Sequence, residues 1–574
     1  MAEQHSSETK LSKVEIIKKN SRHLRGTIEE ALQDGSSHFS EENVQVLKFH
    51  GMYQQDDRDL RAEAKRLGRE RYYSMMIRAR IPGGRLNASQ YLEFDNIADT
   101  YGNGTLRITT RQTFQVHGVL KENVKSTLQH LHQVLITTLG GCGDQVRNII
   151  CCGNPLENGF RKQIHSDLHK MVSQFSAKTN AYHEIWLDGE RWNSEEDLPE
   201  EEPLYGEVYL PRKFKIGFTV EGDNCVDIYA NDLGIVAHPD PAEEKVEGYT
   251  LLVGGGMGRT ASIPDTYPRL ATPLCFVTPE ELAQVSMEIV KIQRDFGNRS
   301  DRRYSRFKYL LDERGISWFQ EELENRVGYR LASPRQLVWL SGSDHLGWHS
   351  LKDDQWYLGL FVRNGRIMDT HDMRLKSVLK ELLKTYEFDI QLTSQQNLLL
   401  VGIHSQQRDE VEKKLRNAGV HLPVDYSQAV LHSMACPALP TCGLATAESE
   451  RVFPEVMERM EKLLAETGLS EISLPIAIRM TGCPNGCARP YIADIAFVGR
   501  TPGKYDIFLG GGILGNQLNM RVLELVPIEK LDEVLRPVLQ DYAETAATHE
   551  TFGAYCHRVG LDGLRAKMEA AVIG

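Results

Sequence analysis

The sequence predicts an α+β protein, mixed in its helices and strands, that is built on an internal duplication. Three observations point there. First, two kinds of segment recur in the same order. Arg107–Gly118 (RITTRQTFQVHG) overlays Gln391–Gly402 (QLTSQQNLLLVG), so that Thr109, Gln112 and Gly118 fall on Thr393, Gln396 and Gly402. Farther on, ANDLGIVAHP followed by GYTLLVGGGMG matches IADIAFVGRTP followed by KYDIFLGGGILG, with Gly254, Gly255 and Gly256 on Gly510, Gly511 and Gly512. Two blocks repeating in order are much harder to obtain by chance than one. Second, strand-like and helical periodicities alternate along the chain. Third, 574 residues with 41% hydrophobic and 25% charged side chains suit several domains with sizeable cores.

In chain order, the first sixty or so residues are polar and weakly patterned, and read as an extended or wrapping arm. Ile77–Ile81 and Leu106–Val116 then read as strands, and so do Trp356–Val362 and Asp389–Val401 in the second copy. A helical stretch lies within each pair. In the second it is MRLKSVLKELLKTY, where Leu375, Val378, Leu379, Leu382 and Leu383 repeat at helical spacing. Glu455–Thr467 is a further amphipathic helix, with Gly468 placed to end it. Glu195–Glu202 is acidic and bordered by proline, and reads as a surface loop.

Charge and composition exclude some classes of function. A net charge of −12 argues against wholesale nucleic-acid binding. No run of about eighteen apolar residues is present, and the N-terminus has no apolar core of signal-peptide length. No membrane association and a cytoplasmic location are therefore expected. In a reducing compartment the ten cysteines are not expected to form a disulfide framework.

Four of them are paired by spacing: Cys436 and Cys442 in MACPALPTCG, then Cys483 and Cys487 in TGCPNGCARP. Zinc pairs usually have two to four residues between ligands, which suits the second pair better than the first. An iron–sulfur cluster is a larger body and tolerates the wider spacing. Pro484, Asn485 and Gly486 build a tight turn that can aim sulfurs and backbone N–H groups inward. Spacing alone favours the cluster but leaves zinc open. Cys142, Cys151, Cys152, Cys225, Cys275 and Cys556 show no such pattern, and read as core residues.

A second constellation is cationic. Arg78 and Arg80 (RARIPGG), Arg107 and Arg111 (RITTRQTFQ), Arg147 (DQVRNIICC) and Arg212, Lys213 and Lys215 (LPRKFKIGF) all lie in strand-like segments. Strand alternation places Arg107 and Arg111 on one face, and Lys213 and Lys215 on one face. Such charges are costly to bury unpaired, and these segments carry no carboxylates in register. Anions from outside the chain would resolve the cost: Arg suits carboxylates, and Lys carries a transferable proton. The second copy has Gln391 and Gln395 where the first has Arg107 and Arg111, so one half is specialised for charge. Gly510–Gly515 fits G-x-G-x-x-G, but no acidic residue follows in a βαβ context, and it reads as a glycine turn rather than a nicotinamide site. No P-loop or flavin segment is evident.

These residues together resemble the sirohaem- and [4Fe–4S]-containing sulfite/nitrite reductases. The likeness runs from about Arg71 to Gly560 and is closest to hemoprotein (beta) subunits of assimilatory NADPH-sulfite reductases. It is carried by C-x5-C, TGCPNGC, RIPGG, RITTRQTFQ, VRNIICC, LPRKFK and QRDFGNR. The resemblance implies a pseudo-twofold architecture with the arm at 1–65, ferredoxin-like half-domains at 66–135 and 336–425, and sirohaem- and cluster-binding domains at 136–335 and 426–574. It implies that Cys436, Cys442, Cys483 and Cys487 hold one [4Fe–4S] cluster, with the Cys487 sulfur shared with the iron of one sirohaem. Arg80, Arg147, Lys213 and Lys215 would face the substrate anion, and Arg107, Arg111, Gln115, Arg212 and Asn485 would contact sirohaem. The implied reaction is six-electron reduction of sulfite to sulfide for cysteine biosynthesis. Lysine at 215 leans toward sulfite over nitrite. Electrons would come from an NADPH-dependent flavoprotein (alpha) subunit carrying FAD and FMN, with ferredoxin as second choice.

Overall fold

A computed structural model describes residues 10–156, 158–178, 185–187, 190–192, 202–240, 242–260, 263–470 and 474–573. Two five-stranded sheets form the paired half-domains. The first runs Met52–Asp56, Tyr73–Arg78, Phe114–Val119, Leu106–Ile108, Arg366–Ile367. The second runs Gly347–Ser350, Gln355–Leu360, Leu398–His404, Asp389–Leu392, Arg85–Leu86. Each sheet is thus completed by a short strand from the other copy: Arg366 pairs with Arg107, and Leu86 pairs with Ile390. One continuous hydrophobic core serves both, running from Met52 and Phe94 to Leu379 and Leu415.

Two expected strands, 106–116 and 389–401, are each broken into a hairpin. At the turns Thr109 N–H bonds the Thr113 carbonyl at 2.9 Å and Thr393 N–H bonds the Asn397 carbonyl at 2.9 Å. Gln112 (φ 51°) and Gln396 (φ 71°) take the left-handed conformation at equivalent positions. The amide of Gln112 stabilises that bend by donating to the Cys151 and Leu392 carbonyls. Arg107 therefore sits on a strand and Arg111 in a turn, and they do not share a face.

The helices follow their periodicity. Leu375–Tyr386 buries Leu375, Val378, Leu379, Leu382 and Leu383. Its counterpart Ala88–Thr100 begins with a capping box, in which Asn87 accepts from Gln90 N–H and the Gln90 side chain accepts from Asn87 N–H. Phe453–Glu466 starts with proline in its first turn and is followed by Gly468 at φ 75°.

Two larger sheets share one connectivity. In the first, Ile150–Cys151, Ile216–Val220 and Leu233–Asp240 are parallel neighbours, followed antiparallel by Lys245–Val253 and Thr272–Val277. In the second, Met434–Ala435, Ile478–Thr481 and Ile495–Thr501 are parallel, followed antiparallel by Lys504–Leu509 and Met520–Pro527. The glycine runs are close-approach turns in both. A Cβ on Gly255 would lie 2.2 Å from the Tyr229 carbonyl oxygen, and one on Gly511 2.4 Å from that of Ala493.

Residues 10–56 join the body of the protein. Met52–Asp56 is an edge strand of the first half-domain, and the buried Lys18 ammonium meets Glu15 and the Leu210 carbonyl. Of the expected loop Glu195–Glu202, residues 195–201 lie outside the described residues, and Glu202 is buried. No helix among the described residues is long and apolar enough to cross a membrane.

Candidate functional site

Both cysteine pairs leave the ends of adjacent parallel strands: Cys436 follows Met434–Ala435, and Cys483 follows Ile478–Thr481. The turn between Cys483 and Cys487 needs Gly486 at φ 64°. Backbone and side-chain N–H groups point at sulfur, from Gly482 to Cys436 Sγ at 3.3 Å and from Asn485 Nδ2 to Cys483 Sγ at 3.5 Å. Cys436 and Cys483 are buried, Cys442 is half-buried and Cys487 is exposed. Burial and then the neighbouring Cys487 push the Cys436, Cys442 and Cys483 thiols up, Cys483 to about 12. The sulfurs of Cys436, Cys442 and Cys483 thus lie close enough to Cys487 for it to oppose their ionisation.

They do not converge on a point. A tetrahedral zinc holds sulfurs about 3.8 Å apart, whereas no three of these sulfurs lie within 4.8 Å of one another. Spacing of that kind suits a multi-iron body between them, with N–H donors to neutralise thiolate charge. The residues fit a [4Fe–4S] cluster and do not fit one zinc.

Beside Cys487 the chain gathers positive charge. The Thr110 hydroxyl donates to the Cys487 carbonyl at 3.3 Å, which seats the turn carrying Arg111 against the cysteine loop. Arg111 donates to Asn231 Oδ1 and to the Asn148 and Ile216 carbonyls, at 2.6 to 2.7 Å. Among the described residues its Nε has no partner and neither does Asn148 Oδ1. Burial, then Arg489, lowers the Arg111 guanidinium to about 9.

The extended segment before Ile216–Val220 carries Arg212, Lys213 and Lys215. A bridge between Val146 and Phe214 lays Arg147 alongside, and Arg147 N–H bonds the Phe214 carbonyl at 2.9 Å. Burial lowers Lys213 well below its ordinary 10.5, and Arg212, Arg147, Arg306 and Lys215 lower it further. Lys215 falls to about 7 through burial, Arg111 and Arg306, while Asp232 and Cys487 pull the other way. Among the described residues neither ammonium has a hydrogen bond or ion pair. Arg147 stays above its ordinary value despite burial, held by Tyr53, Cys142 and Asp144. Arg212 is lowered to about 10, by burial first and then Arg302, with Asp144 3.8 Å away.

The expected site residues do not all join this group. Arg80 turns to the helix Gly159–Phe175 and its end, donating to Ser176 Oγ at 2.7 Å and the Val172 carbonyl at 3.3 Å. Arg78 takes the inward position instead. It donates to Cys142 Sγ at 3.2 Å and, with the Gln115 amide oxygen turned toward it, to Gln115. Its charge opposes those of Arg111 and His117. The strand ends at Arg78, so alternation cannot assign the direction of Arg80. Arg107 has a carboxylate of its own: Glu450 accepts from its Nε at 3.1 Å and from Arg366, and Arg107 Nη2 bonds the Ala435 carbonyl. Arg107 therefore needs no acid from outside the chain, whereas Arg111 has no carboxylate partner among the described residues. Asn485 is exposed beside Cys483.

Two unpaired ammoniums and an unpaired guanidinium Nε beside an exposed thiol suit a polycarboxylate tetrapyrrole and a small oxyanion. The donor set thus fits sirohaem as well as the cluster.

Comparisons with known proteins cover nearly the whole chain. The family described as nitrite and sulphite reductase 4Fe-4S domain matches residues 171–331 and 426–572, and the nitrite/sulfite reductase ferredoxin-like half domain matches 68–134 and 349–418. Among curated relatives, the sulfite reductase [NADPH] hemoprotein beta-component of Staphylococcus saprophyticus is 43% identical over 96% of both chains. That of Oceanobacillus iheyensis is 44% identical over 96% of this chain and 94% of its own. A solved structure of the Mycobacterium tuberculosis NirA protein has the same fold, with TM-score 0.77, 22% identity and coverage of 97% and 98%. With both copies of both domains matched in order, the chain belongs to the nitrite and sulphite reductase 4Fe–4S family.

Proposed function

We propose that this protein is the hemoprotein component of an assimilatory, NADPH-dependent sulfite reductase, which reduces sulfite to sulfide with six electrons. The observation that carries the reading is the set of cations with no carboxylate partner among the described residues, Lys213, Lys215 and Arg111, beside the exposed Cys487. Relatives over 40% identical along nearly the whole chain bear that enzyme's name. Cys436, Cys442, Cys483 and Cys487 would hold a [4Fe–4S] cluster, and the cations beside Cys487 a sirohaem; when bound, the two groups would relay electrons to the substrate.

The chain's own groups position charge and protons. Arg78, Arg147, Lys213 and Lys215 attract the oxyanion and stabilise negative charge on its oxygens as they leave. Arg111, which has no carboxylate partner among the described residues, would pair with an acid of the tetrapyrrole, and Arg212 and Asn485 would contact it. Lys215, lowered to about 7, is poised to give up a proton at neutral pH, whereas arginine is not. An approaching dianion raises the lysine back toward its ordinary value, so substrate binding itself loads the proton.

The chain has no recognised nicotinamide or flavin segment, and a flavoprotein carrying NADPH, FAD and FMN supplies its electrons, in the cytoplasm. Steady-state turnover of sulfite and nitrite, first with reduced viologen and then with the flavoprotein and NADPH, tests the proposal. A higher kcat/KM for sulfite and NADPH-dependent sulfide release are expected. Strong preference for nitrite, or electron uptake from ferredoxin alone, overturns it.

A further inference from the structure

A second cysteine cluster lies in the first large sheet, away from the four cysteines above. Cys152, Asp223, Cys225 and His345 place one ligand atom each within 4.8 Å of all the others. Cys152 Sγ is 3.1 Å from Asp223 Oδ2 and 3.4 Å from His345 Nε2, and those two atoms are 3.2 Å apart. A tetrahedron with metal–sulfur bonds of about 2.3 Å and metal–nitrogen or –oxygen bonds of about 2.0–2.2 Å has edges of about 3.4–3.8 Å. The cluster needs to open by only a few tenths of an ångström to match it.

The duplication explains why it is there. Strand pairing makes Ile150 the counterpart of Met434 and Ile216 the counterpart of Ile478. Counting onward, Cys152 falls on Cys436, Asp223 on Asn485 and Cys225 on Cys487. Hydrogen bonding repeats the match independently. The Thr110 hydroxyl donates to the Cys487 carbonyl, and Ser394, its repeat partner, donates to the Cys225 carbonyl at 2.8 Å. Gln395, in the place of Arg111, adds a second bond to that carbonyl at 3.1 Å.

We propose that Cys152, Asp223, Cys225 and His345 bind one zinc ion, at the pseudo-twofold equivalent of the iron–sulfur site. Only two of the cysteines have counterparts here, and the ligand atoms are drawn too close together for a cluster of several irons. Their types, two thiolates, an imidazole and a carboxylate, suit zinc. The surroundings orient them. Cys225 N–H holds the other Asp223 oxygen at 3.0 Å, and Asp344, next to His345, is fixed by Thr393 and Asn397. Arg161, with Nη1 3.7 Å from Cys152 Sγ, offsets the net negative charge of three anionic ligands around a dication. The ion would fasten the first large sheet to the segment that enters the second half-domain at Gly347.

The test is metal content and coordination in the holoenzyme, purified reduced and without chelators. About one zinc per chain is expected, separate from the iron, with X-ray absorption showing two sulfurs at about 2.3 Å and two nitrogen or oxygen atoms at about 2.0–2.2 Å. The double variant Cys225→Ser/His345→Ala should lose at least nine-tenths of the zinc and keep its iron. Wild-type protein with under a tenth of a zinc per chain, iron in that position, or a Cys152–Cys225 disulfide overturns the proposal, as does zinc retained in the variant. None of these readings depends on turnover, so the assignment can fail while the reductase reading stands.

Discussion

Replacing Lys215 by methionine keeps the length of the side chain and removes its charge. The surroundings hold the ammonium at about 7 instead of 10.5, which at 1.36 kcal/mol per pH unit is a penalty of about 5 kcal/mol. Lys215 is half-buried, and solvent screening brings this to about 2–3 kcal/mol. A dianion seated against Nζ recovers that amount, so the variant should lose about 30- to 150-fold in kcat/KM for sulfite. The pH profile gives a second reading. In the wild type the ammonium form is lost as pH rises through about 7, and kcat/KM should fall with it. The variant should show no such fall from this group, while its visible spectrum is unchanged. Steady-state sulfite reduction with reduced viologen from pH 6 to 9 measures both. A methionine variant within threefold of wild type that keeps the same descent would refute the assignment.

Exchanging the two neighbouring arginines separates their roles. Arg78→Ala should lower kcat/KM by roughly 10- to 100-fold, whereas Arg80→Ala should cost about 1–3 kcal/mol in denaturant unfolding through lost bonds to Ser176 and Val172, with KM unchanged. The opposite pattern would return Arg80 to the site. Cys487→Ser should remove about four irons per chain and alter the visible bands, and full iron with wild-type bands would contradict the ligand set. Glu450→Gln leaves Arg107 buried without its anion and should destabilise by about 3–5 kcal/mol. Glu450 is depressed to about 2 by Arg107 and Arg366 against burial, so the wild-type advantage is full above pH 4.5 and vanishes as pH falls through 2. Equal unfolding midpoints for the two proteins at pH 7 would show the pair to be dispensable.

Elements ruled by local pattern were legible in the sequence. The Leu375–Tyr386 face, the Gly468 stop and the Cys483–Cys487 turn all follow from spacing within a dozen residues. The repeats carried the duplication for the same reason, because each copy preserves its own turns. What could not be read depends on partners far along the chain. Glu450 meets Arg107 across 343 residues, and Cys152 meets His345 across 193. The hairpins were hidden because Gln112 and Gln396 look unremarkable as strand residues. Only a hydrogen bond closing each loop, with a left-handed residue beside it, breaks the apparent strand.

The exchange of Arg85–Leu86 for Arg366–Ile367 also bears on how such a chain could be divided. Severed between the copies, each fragment would leave a half-domain with an unfilled outer edge, open to any chain able to donate two residues. A single-copy ancestor on this plan would have completed itself only by meeting a twin, and its assembly would have diluted away at low concentration. Joining such twins end to end would make that encounter intramolecular. In one chain, one copy can keep its arginines while the other carries Gln391 and Gln395 in their place.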